Sequence, residues 1–466
     1  MWADRGPEVD ILIKKLEERS HRVLYWVGLG EDTDRHSDMI FHDHYAAWAG
    51  EPAPKVASGD WEPPSGDLVK KMLETESLVL TMMNKKFDIE CVDQRRNLYY
   101  SMLGYWDGMI KKYKPDLIIF PIVPHTVYNY IVYALARLYG IQTIMFEDSW
   151  VSDRLIKYND WREGSPALHE AIRKNSGKNF KLTDLSLDLQ KYYELQTDVG
   201  KDATPFYTAH YKKHFGGFNR FKKRLSIVRK SFLDGTIVRR LWDHLFRQFQ
   251  PNLKKDYTKL QLHPDLTKDY IYVPLSFQPE RTSSPQGDMY VDQIFMLETV
   301  SVALPPTWRI YVKEHPTQWL TRSNVNYSSS RYKGYYAKIA GIKNVFLVPV
   351  EMSTYDLIRH AKAVGACAGT AGWEGILRGK PMLNFGYPWY RDFPGALRVN
   401  GVASCREATQ KVAKGFVVEK QSVLNFLKSF DEATIHAYSE AMVEKISSLN
   451  KKQSMKNTIQ SIISEI

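Results

Sequence analysis

Over the first 150 residues, short apolar runs alternate with longer mixed stretches. Runs at 23–27, 116–120 and 141–146 are rich in β-branched and aromatic residues and read as buried strands. Stretches near 8–20, 66–85, 93–112 and 126–139 read as helices, the last ended by Gly140. This alternation predicts a parallel sheet with right-handed crossovers. Residues 152–265 mix charged and aromatic positions without strand runs, so a helical, irregular insertion is expected there. A second alternation starts near 270, with strands at 270–273, 309–313, 345–348, 363–366 and 382–385. Helices are expected between them near 289–303, 331–340, 353–362 and 372–379, and at 421–430 and 434–449. The chain thus divides into a Rossmann-like domain over 1–265, a second over 266–430, and C-terminal helices over 431–466 that pack back on the first domain. An α/β architecture of two such domains facing a cleft is the simplest reading.

Composition supports this and adds a sign of charge. At 466 residues the chain exceeds one ordinary core, and 44% hydrophobic residues suffice for two. The net charge of +11 favours an anionic partner. The densest basic stretch runs from Lys212 to Arg240. It reads either as a solvated helical face or as a patch for an anionic membrane surface. No nucleic-acid module with interleaved aromatics accompanies it, so nucleic acid is not expected. Cys91, Cys367 and Cys405 have neither disulfide nor zinc spacing and suit reduced thiols in the cytoplasm. No signal peptide and no apolar run of membrane-spanning length is recognisable.

The chemistry concentrates where strands end. At 309–316 a strand runs into Lys313, Glu314, His315 and Pro316. A buried strand has no reason to end so polar, whereas a strand opening onto a ligand crevice does. Lys313 offers a cation, His315 a hydrogen bond or proton near neutral pH, and Pro316 the stop. Gly369, Thr370, Ala371 and Gly372 then lead from a strand into a helix carrying Glu374. Small residues there let backbone N–H groups approach a phosphate, and Glu374 is positioned for ribose hydroxyls. A tight turn with an acid on the helix dipole is the plainer alternative. The polar loop with Gln278, Glu280 and Arg281 follows the first strand of the second domain and is a candidate substrate contact. Across the cleft, Glu147 and Asp148 end a first-domain strand and are candidate bases. His125 follows another strand and lines the same side or is structural; Asp43, flanked by His42 and His44, is a weaker rival base. Pro349 and Ser353, after the 345–348 strand, are candidates for reading a nucleotide base. No metal-ligand set is recognisable.

These residues carry a resemblance. Gln278, Pro279 and Glu280, the Lys313 to Pro316 turn, the Gly369 to Glu374 turn and Gly379, Lys380 and Pro381 resemble bacterial capsule and surface-polysaccharide biosynthesis proteins. That group includes Kdo transferases and is similar in layout to bacterial sialyltransferases. The resemblance covers about residues 270–390. It implies a GT-B glycosyltransferase that uses a CMP-activated 2-keto acid sugar, needs no metal or cofactor, and acts on a glycan or glycolipid at the inner face of the membrane. It further implies that His315 and Thr370 hold the donor phosphate and that Glu147 or Asp148 is the base. Related sialyltransferases carry two acids and a glycine where this chain has Glu147, Asp148 and Ser149, which leaves the choice of base open. Another nucleotide-sugar enzyme of this architecture, such as a UDP-sugar transferase, an epimerase or a CDP-polyol polymerase, is the alternative. A non-catalytic assembly scaffold is the other.

Overall fold

A computed structural model describes residues 7–29, 39–200, 252–319 and 330–466. The basic 212–240 stretch lies outside the described residues. Strands are numbered in chain order. In the second half, β6 (Tyr270–Pro274), β7 (Arg309–Lys313), β8 (Val345–Leu347), β9 (Ala363–Ala366), β10 (Met382–Asn384) and β11 (Ala396–Arg398) form one sheet. Its order is β11-β10-β9-β6-β7-β8, and every pair is parallel. The helices Gln293–Ala303, Tyr335–Ala340, Thr354–His360 and Thr370–Leu377 are the crossovers. Burial on both faces explains why β6 and β9 read as continuous apolar runs. On β6 the Tyr270 ring is buried and its hydroxyl donates to the Leu357 carbonyl at 2.7 Å.

The first half is less regular. β1 (Tyr25–Gly28) and β2 (Ile40–Asp43) form a separate parallel pair. β3 (Leu117–Phe120), β4 (Gln142–Asp148), β5 (Arg154–Tyr158) and β12 (Ile435–His436) form a sheet in the order β12-β5-β4-β3. Only β3 and β4 pair in parallel there; β5 runs antiparallel to β4 and to β12. The strand-free reading of 152–265 therefore fails at β5, where two charged residues in five hide the strand signal. The helix expected over 434–449 is instead β12, a turn and the short helix Ala441–Glu444, with Lys451–Ile463 following.

The two halves share a core. The helix Lys420–Ala433 packs on Pro166–Asn175, and Trp161 meets Tyr387 edge-on at 5.1 Å. Arg154, fully buried, clamps the C-terminal segment: its guanidinium reaches Asp431 at 2.7 Å, Asp188 at 2.8 Å and His436 Nδ1 at 3.0 Å. On β2, buried His42 bonds Tyr25 OH and the Glu51 carbonyl, and burial pulls its pKa down to about 4. Asp43 caps the helix His44–Ala49 by accepting from the Tyr45 and Ala46 N–H groups.

Two outcomes are expected. Arg154→Met leaves Asp431 without its partner in a buried setting, so urea unfolding should lose about 3–5 kcal/mol; an unchanged midpoint would contradict the clamp. The unfolded chain binds the His42 proton near 6.5, while the folded chain refuses it until about 4. The stability that His42 contributes above pH 6.5 is therefore lost as pH falls towards 4. Unfolding of wild type and His42→Gln, compared at pH 7 and 4.5, should show a shallower acid loss in the variant.

Candidate functional site

A cavity of about 430 Å³ lies where the C-terminal ends of β4, β6, β7 and β9 face one another. Open α/β sheets bind ligands at such strand ends, and the volume falls in the range of ligand sites, about 300–1,000 Å³.

The second domain builds one wall. Glu314, fully buried, holds the turn after β7: it accepts from Arg331 Nε at 2.8 Å, Arg331 Nη2 at 3.2 Å, Tyr336 OH at 2.6 Å and the His315 N–H at 2.7 Å. Arg331 also donates to the Ser276 carbonyl at 3.2 Å and to Gln278 Oε1, tying the loop after β6 to the same turn. The His315 ring then projects into the cavity beside Phe277. Its Nδ1 accepts from the Thr317 N–H at 3.3 Å and lies 2.8 Å from Thr317 Oγ1. An acceptor Nδ1 puts the proton of the neutral ring on Nε2. Burial lowers the pKa of His315 to about 4, with Arg331 and Lys313 adding to the shift against Glu314. At neutral pH the ring is thus a hydrogen-bond donor through Nε2, not the proton donor that its ordinary pKa suggests.

Gly369, Thr370 and Ala371 also line this wall, at the start of the helix Thr370–Leu377. Tyr390 OH donates to the Gly369 carbonyl at 2.6 Å and fixes the turn. A Cβ on Gly372 would lie 2.5 Å from that hydroxyl, so the packing behind the turn demands glycine. Glu374 faces the cavity; burial raises its pKa, opposed by Arg378, Thr370 and Lys313.

The first domain and the C-terminal segment build the other wall. Glu147 accepts from Tyr158 OH at 2.8 Å and from Gln286 Nε2 at 3.0 and 3.1 Å. Asp148 accepts from the Ser439 N–H, from Ser439 Oγ at 2.6 Å and from the Glu440 N–H at 2.9 Å. Burial and the charge of Glu440 raise the pKa of Asp148 to about 7. His125 Nδ1 donates to the Val123 carbonyl at 2.9 Å, which leaves Nε2 an acceptor; burial, Lys85 and Arg281 lower its pKa to about 3. Arg281 reaches across the cleft, with Nη2 3.8 Å from Glu147 Oε1 and 3.5 Å from Glu440 Oε1. Its Nη1 is buried without a hydrogen-bond partner. Glu280 faces Lys85 at 3.7 Å.

The structure therefore gathers His125, Glu147, Asp148, Glu280, Arg281, His315, Gly369, Thr370 and Glu374 in one cavity lining. Lys313, Pro316, Gln278, Pro349, Ser353 and Gly372 are not part of that lining. Lys313 donates to the Met352 carbonyl at 2.8 Å and to Thr354 Oγ1 at 2.6 Å, stitching the loop after β8 to β7. Ser353 caps the helix Thr354–His360 through the Asp356 N–H at 3.2 Å. The Pro349 carbonyl accepts from Met352 N–H at 3.1 Å. The amide of Gln278 bonds Arg331 and the Val291 carbonyl. Sequence reasoning missed Arg331, Trp389, Tyr390 and Glu440, whereas Gln286 belongs to the polar loop after β6 read as a substrate contact. Arg331 and Glu440 lie in stretches read as helices, 331–340 and 434–449, but each precedes the helix that forms, and only packing aims it at the site. Among the described residues no cluster of three potential metal ligands occurs, and no helix is long and apolar enough to cross a membrane.

No curated protein matches the chain. The solved beta Kdo 2,7 transferase KpsC of Thermosulfurimonas dismutans is 11% identical, with a TM-score of 0.35 over 78% of this chain and 89% of that one. The beta Kdo 2,4 transferase KpsC of the same organism is 14% identical, with a TM-score of 0.27 over 67% and 86%. The UDP-GlcNAc 2-epimerase of Methanocaldococcus jannaschii is 12% identical, with a TM-score of 0.22 over 89% and 90%. Two α/β domains face a cleft, with the cavity at their strand ends, the layout expected from the sequence. The family model of the capsule polysaccharide biosynthesis proteins matches residues 269–425, which span the second domain.

Proposed function

We propose that this protein is a glycosyltransferase of surface-polysaccharide synthesis. It moves a 2-keto acid sugar, Kdo or a nonulosonic acid, from a CMP-activated donor to a glycan or glycolipid hydroxyl. One observation carries the reading: a single cavity has anion-stabilising donors on one wall and carboxylates on the other. The attacking acceptor oxygen bonds to the anomeric carbon, the bond from that carbon to the phosphate oxygen breaks, and CMP leaves with the electron pair. His315 Nε2–H and the N–H groups and hydroxyl at Thr370 meet the charge that develops on the phosphate. The Nη1 of Arg281, buried without a hydrogen-bond partner, suits the carboxylate of a 2-keto acid sugar, because a guanidinium matches a carboxylate in shape and charge. Glu374 is positioned for donor hydroxyls. The preference for CMP rests on the likeness of the Lys313 to Pro316 and Gly369 to Glu374 turns to the capsule proteins. The basic 212–240 segment would hold the enzyme at an anionic membrane beside its acceptor.

In a thermal-shift panel of CMP, CDP, UMP and UDP, CMP should stabilise the full chain most, by about 2.7 kcal/mol at a hundredfold excess over its Kd. A stronger shift with UDP would move the assignment to a UDP-sugar enzyme, and no shift with any nucleotide would favour a scaffold. His315→Ala should lower kcat about 10²–10³-fold, the usual loss of one preorganised donor, with the Tm retained; undiminished turnover would sink the phosphate role. Such a site needs no divalent ion, so EDTA should leave transfer unchanged.

A further inference from the structure

The first-domain wall has more acids than a single transfer uses, and their surroundings separate their roles. Five carboxylates line the cavity: Glu147, Asp148, Glu280, Glu374 and Glu440. A base for the acceptor must keep a lone pair open to the cavity on the side away from the leaving phosphate. Glu374 belongs to the phosphate wall. Glu280 stands opposite Lys85. Both oxygens of Glu147 accept from Gln286, and one also accepts from Tyr158. Asp148 is 2% exposed, and its oxygens accept from the Ser439 N–H, the Ser439 hydroxyl and the Glu440 N–H.

Glu440 differs. Its backbone is pinned by Asp148, but its side chain makes no capping bond to the helix Ala441–Glu444 that it precedes. The side chain stays 29% exposed in the cavity, with Arg281 3.5 Å from Oε1.

We propose that Glu440 is the carboxylate that takes the proton from the acceptor hydroxyl, with Asp148 as its positioning residue. This rests on the glycosyltransferase reading above. As the acceptor oxygen bonds to the anomeric carbon, its proton passes to Glu440, and the electron pair of the breaking bond leaves with CMP. The C-terminal segment, clamped on the first domain by Arg154 and β12, thereby completes the active site. Burial, Glu280 and Glu147 raise the Glu440 pKa, and Arg281 and Lys85 lower it. The net upward shift brings this base closer to the operating pH, as proton abstraction favours.

The test uses the full chain, CMP-Kdo as donor and an array of capsular oligosaccharides as acceptors. Glu440→Gln should lower kcat about 10²–10⁴-fold while keeping the CMP thermal shift and the Tm. Glu440→Gly should regain part of its turnover with added formate. Asp148→Asn should lower kcat without changing the KM for donor, and should move the acid limb of the pH profile. Transfer by Glu440→Gln at the wild-type rate, with Glu147→Gln inactive, would overturn the role of Glu440 and leave the glycosyltransferase reading standing. A wild type that neither binds CMP nor transfers would overturn both.

Discussion

The buried pair of Glu314 and Arg331 is the constraint on which the second-domain wall of the cavity depends. Both side chains are fully excluded from solvent, and two isolated charges there would be costly. The cost is offset because Glu314 also binds Tyr336 OH and the His315 N–H, while Arg331 also binds the Ser276 carbonyl and stacks on Tyr335 at 4.6 Å. The network joins the turn after β7 to the loop after β6, and so orients the ring of His315. A single residue in the Lys313 to Pro316 turn faces the cavity; its neighbours hold it there.

Arg281 plays the matching part across the cleft. It belongs to the second domain, yet its guanidinium lies between Glu147 of the first domain and Glu440 of the C-terminal segment. Gln286, from the same loop, bonds Glu147 directly. Three separate parts of the chain therefore meet at one charge cluster. Burial pushes the Asp148 and Glu440 carboxyls upward, neighbouring acids add to it, and Arg281 opposes it.

Much of the second domain was legible in the sequence, because parallel strands buried on both faces are short apolar runs bounded by turns. Both loops that form the second-domain wall of the cavity follow such strands, so His315, Gly369 and Thr370 stood out as polar or small residues at strand ends. The first domain was harder to read. β5 carries charges that are satisfied by Asp188, Asp431 and Glu465, so its pattern does not alternate cleanly. β12 is two residues long and exists only because β5 offers it an edge.

What the sequence by itself determined was the fold class and the positions where chemistry is concentrated, since strand periodicity and strand-end polarity are local properties. Lys313, Glu314 and His315 looked equivalent at that level. Tertiary structure alone decided that Lys313 stitches a loop, Glu314 anchors a buried guanidinium and His315 faces the cavity as a neutral donor. It also decided that Glu440, almost 300 residues after Asp148, stands beside it. Burial and hydrogen-bond partners set the role of each ionisable side chain, and both are fixed by contacts between residues far apart in the chain.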